Sequence, residues 1–191
     1  DMLYLPPMWA HDGIAEGECM TYSVGFRSPK QDELARELFL RLSDAPDECP
    51  KDVVYKDPKQ TAVAHPGEIP AALLDFARQA LEKALAEPLA LERALGETLS
   101  DPKPGVWFEP ADDFGLIENV RLNQRTRMLY DAQHIFINGE SYLAAGRDAE
   151  LMRQLADTRQ LSSAEVQQLS DDALQLLSSW VDAGWAHSTA G

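Results

Sequence analysis

The sequence predicts an α+β chain, and three observations carry that prediction. The opening residues place apolar runs on either side of a turn, as paired strands do; the middle repeats leucine at every fourth position, as amphipathic helices do; and the last third sets short β-prone segments ahead of helices with clear caps.

Residues 2–26 form the strand, turn, strand pattern. Met2-Leu3-Tyr4-Leu5 leads into Pro6-Pro7, and Cys19-Met20-Thr21-Tyr22-Ser23-Val24-Gly25-Phe26 is rich in side chains that suit a pleated surface. Two strands bury too little to be stable alone, so the pair is expected to belong to a larger sheet. The chain opens on Asp1 and an apolar segment with no cap before it, which suggests a chain cut inside a domain.

Ser28-Pro29 opens a helix with Leu34, Leu38 and Leu42 on one face, ending before Pro46. A polar, proline-containing connector runs to Pro70. There a second helix starts with the stripe Leu73, Leu74, Ala77, Leu81, Ala84 and Leu85, and a third over residues 88–99 carries Leu91, Leu95 and Leu99. Such stripes need a partner surface, and a second copy of the chain would serve, so a homodimer is expected.

Asp101-Pro102-Lys103-Pro104-Gly105 is the clearest linker. Beyond it, residues 128–131, 134–137 and 141–144 are expected as short strands, the last two joined by Asn138-Gly139, a pair that tolerates positive φ in a two-residue hairpin. Helices follow over residues 149–156, 164–169 behind a Ser162-x-x-Glu165 capping box, and 171–183 behind Ser170. Gly184 stops the last one, and Trp185-Ala186-His187 suits a closing strand. A short sheet with three helices and a final strand suits a winged-helix-like module.

Composition narrows the function classes. With 191 residues, 45% of them hydrophobic, the chain is long enough to bury a core. It lacks both a membrane-length apolar run and a signal peptide, so no membrane association and a cytoplasmic location are expected. Cys19 and Cys49 are read as free thiols. The formal charge of -15 argues against nucleic acid as a direct partner and favours a basic protein. The last helix agrees, since Asp171, Asp172 and Asp182 leave it without a Lys or Arg to read DNA. Trp107, Trp180 and Trp185 are expected as core or interface anchors, because a platform for stacking bases would need basic residues beside it. No phosphate-binding loop occurs, and Ser162-Ser163 and Ser178-Ser179 lack the context of a nucleophile.

The most informative segment is Asp1-Met2-Leu3-Tyr4-Leu5-Pro6-Pro7-Met8-Trp9-Ala10-His11, followed by Ser23 in Thr21-Tyr22-Ser23-Val24-Gly25-Phe26-Arg27. It resembles the end of the catalytic double-stranded β-helix in the JmjC/cupin ribosomal oxygenases. Tyr55-x-Asp57-Pro58, His65-Pro66-Gly67-Glu68-Ile69-Pro70 and Leu99-Ser100-x-Pro102-Lys103-Pro104-x-Val106-Trp107-Phe108 resemble the inter-domain segments of proteobacterial members, so the likeness covers nearly the whole chain. It implies that residues 1–28 are the last strands of a truncated catalytic domain, 29–104 a helical dimerisation region and 105–191 the winged-helix-like domain.

The resemblance also implies a 2-oxoglutarate and Fe(II)-dependent dioxygenase that hydroxylates a basic ribosomal protein, an arginine of large-subunit ribosomal protein sixteen in characterised relatives. A non-haem ferrous site takes two His and one carboxylate on one face of the metal. The resemblance assigns His11 to the last of these ligands and Ser23 to the cosubstrate carboxylate. The other two, in a His-x-Asp motif, would lie before Asp1; the chain contains no His-x-Asp or His-x-Glu, so it is expected to be inactive by itself. Without the resemblance, a lone His after a Pro-Pro turn is ordinarily structural or solvent-facing, a strand serine is merely tolerated, and Tyr22 and Arg27 serve packing and a surface ion pair. His65, His134 and His187 have no second ligand at metal spacing. The alternative reading is a non-catalytic module that dimerises and binds protein through its winged helix.

Overall fold

The structure is a computed structural model that describes residues 2–6, 8–25, 28–43, 53–58, 61, 65, 67–110 and 117–189. Pro7, Phe26, Arg27, the helix stop at Pro46, Cys49 and Pro66 lie outside the described residues. The chain divides into two compact units, 1–30 and 31–191.

In the first unit the expected strands are absent: the described residues of 2–25 contain no strand, and all but Pro6, which lies just inside the surface, are exposed. The physical reason is the one that made a larger sheet necessary. A strand is held by a ladder and by a face packed on a core, and these side chains have neither. A local bond runs from Trp9 N–H to the Pro6 carbonyl at 3.3 Å, across a turn in which Met8 takes φ 67°.

The second unit begins with α1 (Gln31–Ser43), α2 (Ala71–Ala86) and α3 (Ala90–Ser100). Leu34, Leu38 and Leu42 of α1 are half-buried, as their spacing predicts, and α1 packs on α3. Arg41 ties α1 to the end of α3 and to a hairpin turn further along the chain: its guanidinium bonds Asp101 at 2.8 Å and the Gly139 carbonyl at 3.2 Å. Helix α2 buries none of its residues. Phe76 on it meets Tyr55 of the connector edge-on at 5.5 Å.

Helix α3 buries Ala90, Ala94, Gly96 and Ser100, while Leu91 and Leu99 of the expected stripe remain 48% and 38% exposed. The small residues win this face because the helix must approach a sheet closely. That sheet consists of β2 (Met128–Tyr130), β3 (His134–Ile137) and β4 (Glu140–Leu143), antiparallel in that order. All of β3 is buried, so both its faces are covered. Phe136 meets Gly96, where an added Cβ would lie 2.2 Å from the ring. On the other side, Ile135 and Ile137 join the main core. Asn138 and Gly139 turn the hairpin with φ of 48° and 90°, as their sequence predicts. Gly139 N–H donates to Ser100 Oγ at 3.1 Å, and Ser141 Oγ donates to Glu97 at 2.6 Å. The expected boundary at 104/105 therefore falls inside one packed unit.

A second sheet has the order β5-β1-β6, from β1 (Asn119–Leu122), β5 (Gln160–Leu161) and β6 (Ala186–Thr189). Helices α4 (Gly146–Thr158), α5 (Ser163–Val166) and α6 (Asp171–Asp182) cover it. The core gathers Val120, Leu122, Leu151, Leu155, Leu161, Leu177, Trp180 and Ala186, all 3% exposed or less. Each large side chain among them contributes about 1.5–3 kcal/mol by leaving water. The middle strand comes from ahead of the helices and pairs with the last strand along four residues. Both predicted caps form: Glu165 accepts from Ser162 N–H and Oγ at 2.7 Å each, and Ser170 Oγ accepts from Ala173 N–H at 3.3 Å. At the end of α6, Gly184 takes φ 74°, and a Cβ there would lie 2.1 Å from the Glu109 carbonyl.

Candidate metal centre

His11 and Ser23, the two residues singled out for iron and cosubstrate, are exposed residues of the first unit outside any helix or strand, with no ladder joining their segments. His11 is clear of any apolar pocket. One imidazole is its whole contribution: among the described residues no three His, Cys, Asp or Glu side chains come together where they would hold a metal ion. The described residues thus do not by themselves fit a site of two His and one carboxylate.

The remaining histidines keep the structural or solvent roles their spacing suggests. His65 and His187 are exposed. His134 is 5% exposed; its ring stacks on Phe136 at 5.3 Å, and Nδ1 lies 3.0 Å from Asp131 Oδ2. Asp131 also accepts the backbone N–H groups of Gln133 at 2.7 Å and His134 at 2.6 Å. Burial pushes the Asp131 carboxyl up, but those two N–H bonds and the His134 ring together outweigh it and hold the group below its ordinary value. This arrangement pins the β2–β3 turn, so the pair is structural.

Two tyrosine hydroxyls also stand out. Burial, and then the hydrogen bond its hydroxyl donates to Glu140, push Tyr142 up to about 12. Tyr130 is also raised, chiefly by the hydrogen bond it donates to Asp157 at 3.0 Å. Neither stands in a cluster of reactive groups.

Trp107 differs from Trp180 and Trp185. Trp180 is 1% exposed and Trp185 packs against the core, as anchors should, but Trp107 is 64% exposed with the Arg125 guanidinium 5.6 Å from its ring centroid. The sequence signal for this is Arg121-Leu122-Asn123-Gln124-Arg125-Thr126-Arg127, a local run of cations that the overall negative charge obscures.

Comparison with known proteins adds the family. The family model described as the ROXA-like winged helix matches residues 79–187. The chain belongs to the ROXA-like winged-helix family. The family model described as the JmjC domain matches residues 1–34 of this ROXA-like chain. Its curated relatives are ribosomal oxygenases. The ribosomal protein uL16 3-hydroxylase of Escherichia coli is 26% identical over 200 residues, covering 97% of this chain and 52% of the relative. A probable ribosomal oxygenase of Haemophilus influenzae is 23% identical over 224 residues, covering 97% and 53%. The chain thus spans about half the length of the curated relatives it matches. Among solved structures, the Escherichia coli ribosomal oxygenase YcfD in complex with cobalt and 2-oxoglutarate aligns with a TM-score of 0.62 at 19% identity, covering 85% of this chain and 47% of that one. YcfD with cobalt and succinic acid gives 0.64 at 20% identity, covering 85% and 47%. The alignments establish the mixed helix and strand fold. No helix among the described residues is long and apolar enough to cross a membrane.

Proposed function

We propose that this sequence is the C-terminal part of a 2-oxoglutarate and Fe(II)-dependent protein hydroxylase, with His11 as one of three iron ligands and Ser23 on the cosubstrate carboxylate. The observation that carries the reading is the occurrence, in one chain, of a JmjC match over residues 1–34 and a ROXA-like match over 79–187. Relatives named as ribosomal oxygenases, and a fold neighbour studied with cobalt and 2-oxoglutarate, support the same chemistry. The 191 residues alone are inactive on this reading. The lone imidazole of His11 in the JmjC-matching segment and the share of the relatives that the chain spans support that part.

The substrate is a basic ribosomal protein, with an arginine of large-subunit ribosomal protein sixteen as the target. The charge of -15 supports a basic partner. The working state is a cytoplasmic homodimer joined through residues 29–104. In support, Phe39 and Leu40 of α1 and Leu74, Leu81 and Leu85 of α2 are 49–57% exposed, an apolar surface of the kind that marks association.

The test is to incubate the full-length gene product with Fe(II), 2-oxoglutarate and a peptide bearing the ribosomal arginine. Succinate should form and the peptide should gain the mass of one oxygen atom; His11→Ala should abolish both, as should using the 191 residues alone. Turnover undiminished by His11→Ala would refute the assignment.

A further inference from the structure

On the β5-β1-β6 sheet, alternation puts an arginine on the side away from the buried core. Arg121 is exposed on the central strand, and the register sets it beside Gln160 on β5 and His187 on β6, both exposed. Val120 and Leu122 alternate to the other side and are 1% and 3% exposed. Strand alternation thus produces a polar, cation-bearing face.

The turn after β1 carries a second arginine, four residues along the chain from the first. Arg125 is fixed by three contacts: its N–H donates to Asn123 Oδ1 at 3.0 Å, its guanidinium donates to the Trp107 carbonyl at 3.2 Å, and that guanidinium stands 5.6 Å from the Trp107 ring centroid. Phe108 turns inward to meet Trp185 at 6.3 Å, so the segment is anchored by one aromatic and presents the other to solvent. Among the described residues, no carboxylate pairs with Arg121, Arg125 or His187. In a chain with 32 Asp and Glu against 17 Lys and Arg, an uncompensated strip runs against the composition.

We infer that Arg121, Arg125, His187 and Trp107 form a contact for single-stranded RNA, in which the guanidinium groups meet phosphates and the exposed indole stacks on a base. An acidic protein segment would satisfy the cations but leave the indole unused, whereas single strands use both cations and aromatic rings. The chain's average charge opposes nucleic acid, so binding is local, weak and sensitive to salt. Two phosphates neutralised on a single strand give a slope of log affinity against log salt of about -1.4. This inference stands independently of the oxygenase reading.

The test uses the 191-residue chain and a labelled oligouridylate, followed by fluorescence anisotropy across a salt series, with fold checked by circular dichroism. Saturable binding at low salt is expected, with quenching of indole fluorescence. Arg121→Ala should roughly halve the salt slope, and Trp107→Ala should weaken binding by at least about fivefold. Arg78→Ala, on exposed α2, serves as the charge control and should change affinity by less than about twofold. Absence of saturable binding, or an Arg121→Ala effect equal to that of Arg78→Ala, overturns the inference. Competition by a polyglutamate peptide with no effect of Trp107→Ala overturns it in favour of an acidic protein partner.

Discussion

Replacing Gly96 by Ala tests the seating of α3 on the central strand of its sheet. The added Cβ would lie 2.2, 2.3 and 2.4 Å from three ring atoms of Phe136. Carbon atoms in good contact stand about 3.5–4.0 Å apart, so ring and helix must separate by more than about 1 Å. The ring has little room to move: it is 2% exposed and stacked on His134, which Asp131 holds in turn. Two effects oppose each other. Alanine is favoured over glycine inside a helix by about 1 kcal/mol. Overpacking a core costs about 1–3 kcal/mol, and three simultaneous overlaps put this site at the upper end. The net expectation is a loss of about 2 kcal/mol, or about 4–8 °C in Tm for a chain of this size. Urea unfolding followed by circular dichroism measures it. Phe136→Leu in the same background should recover part of the loss, giving a coupling beyond the sum of the single changes. A Gly96→Ala protein as stable as the parent, with no such coupling, would refute the close approach.

Three other outcomes come from the same kind of geometry. Gly184→Ala should lose about 2–4 kcal/mol in urea unfolding, because its φ of 74° strains any L-residue and the new Cβ meets the Glu109 backbone. Ser162 N–H, then Gln154, then Ser162 Oγ hold the Glu165 carboxyl down at about 2, against an ordinary value of 4.5. A depressed folded-state value gives stability that is fully present above pH 4.5 and lost as pH falls toward 2; thermal melts across that window should show it, and Glu165→Gln should flatten the dependence. If the proposed homodimer forms through α2, Leu81→Glu on its exposed face should lower the mass seen in light scattering while leaving helix content unchanged; an unaltered mass would remove that face from the proposed interface.

The parts of the fold legible in the sequence are those written locally. The Leu34/Leu38/Leu42 spacing, the Asn138-Gly139 turn, the Ser162/Glu165 box and the Gly184 stop each depend on neighbours within a few residues, and each forms. Strands β1 and β5 escape a sequence reading because four and two residues give too little alternation, and their existence depends on partners far along the chain. Hydrophobicity points to leucines for the buried face of α3, yet close approach to Phe136 selects residues by their lack of bulk. At the candidate site, His11 and Ser23 rest on family likeness alone; both are exposed, and no group of three metal-ligating side chains occurs among the described residues. The exposure of Trp107 is hidden because net charge is an average, and the average conceals a run of arginines.

The threading of the β5-β1-β6 sheet has a consequence for how this half of the molecule is made. Its central strand is synthesised early and waits, with one edge open, through the whole interval in which α4, α5 and α6 emerge. Only when residues 186–189 leave the ribosome does that edge gain its neighbour. Closure of this sheet therefore waits until all three covering helices have been made, and a nascent chain stalled before Ala186 exposes a strand edge to whatever else is nearby.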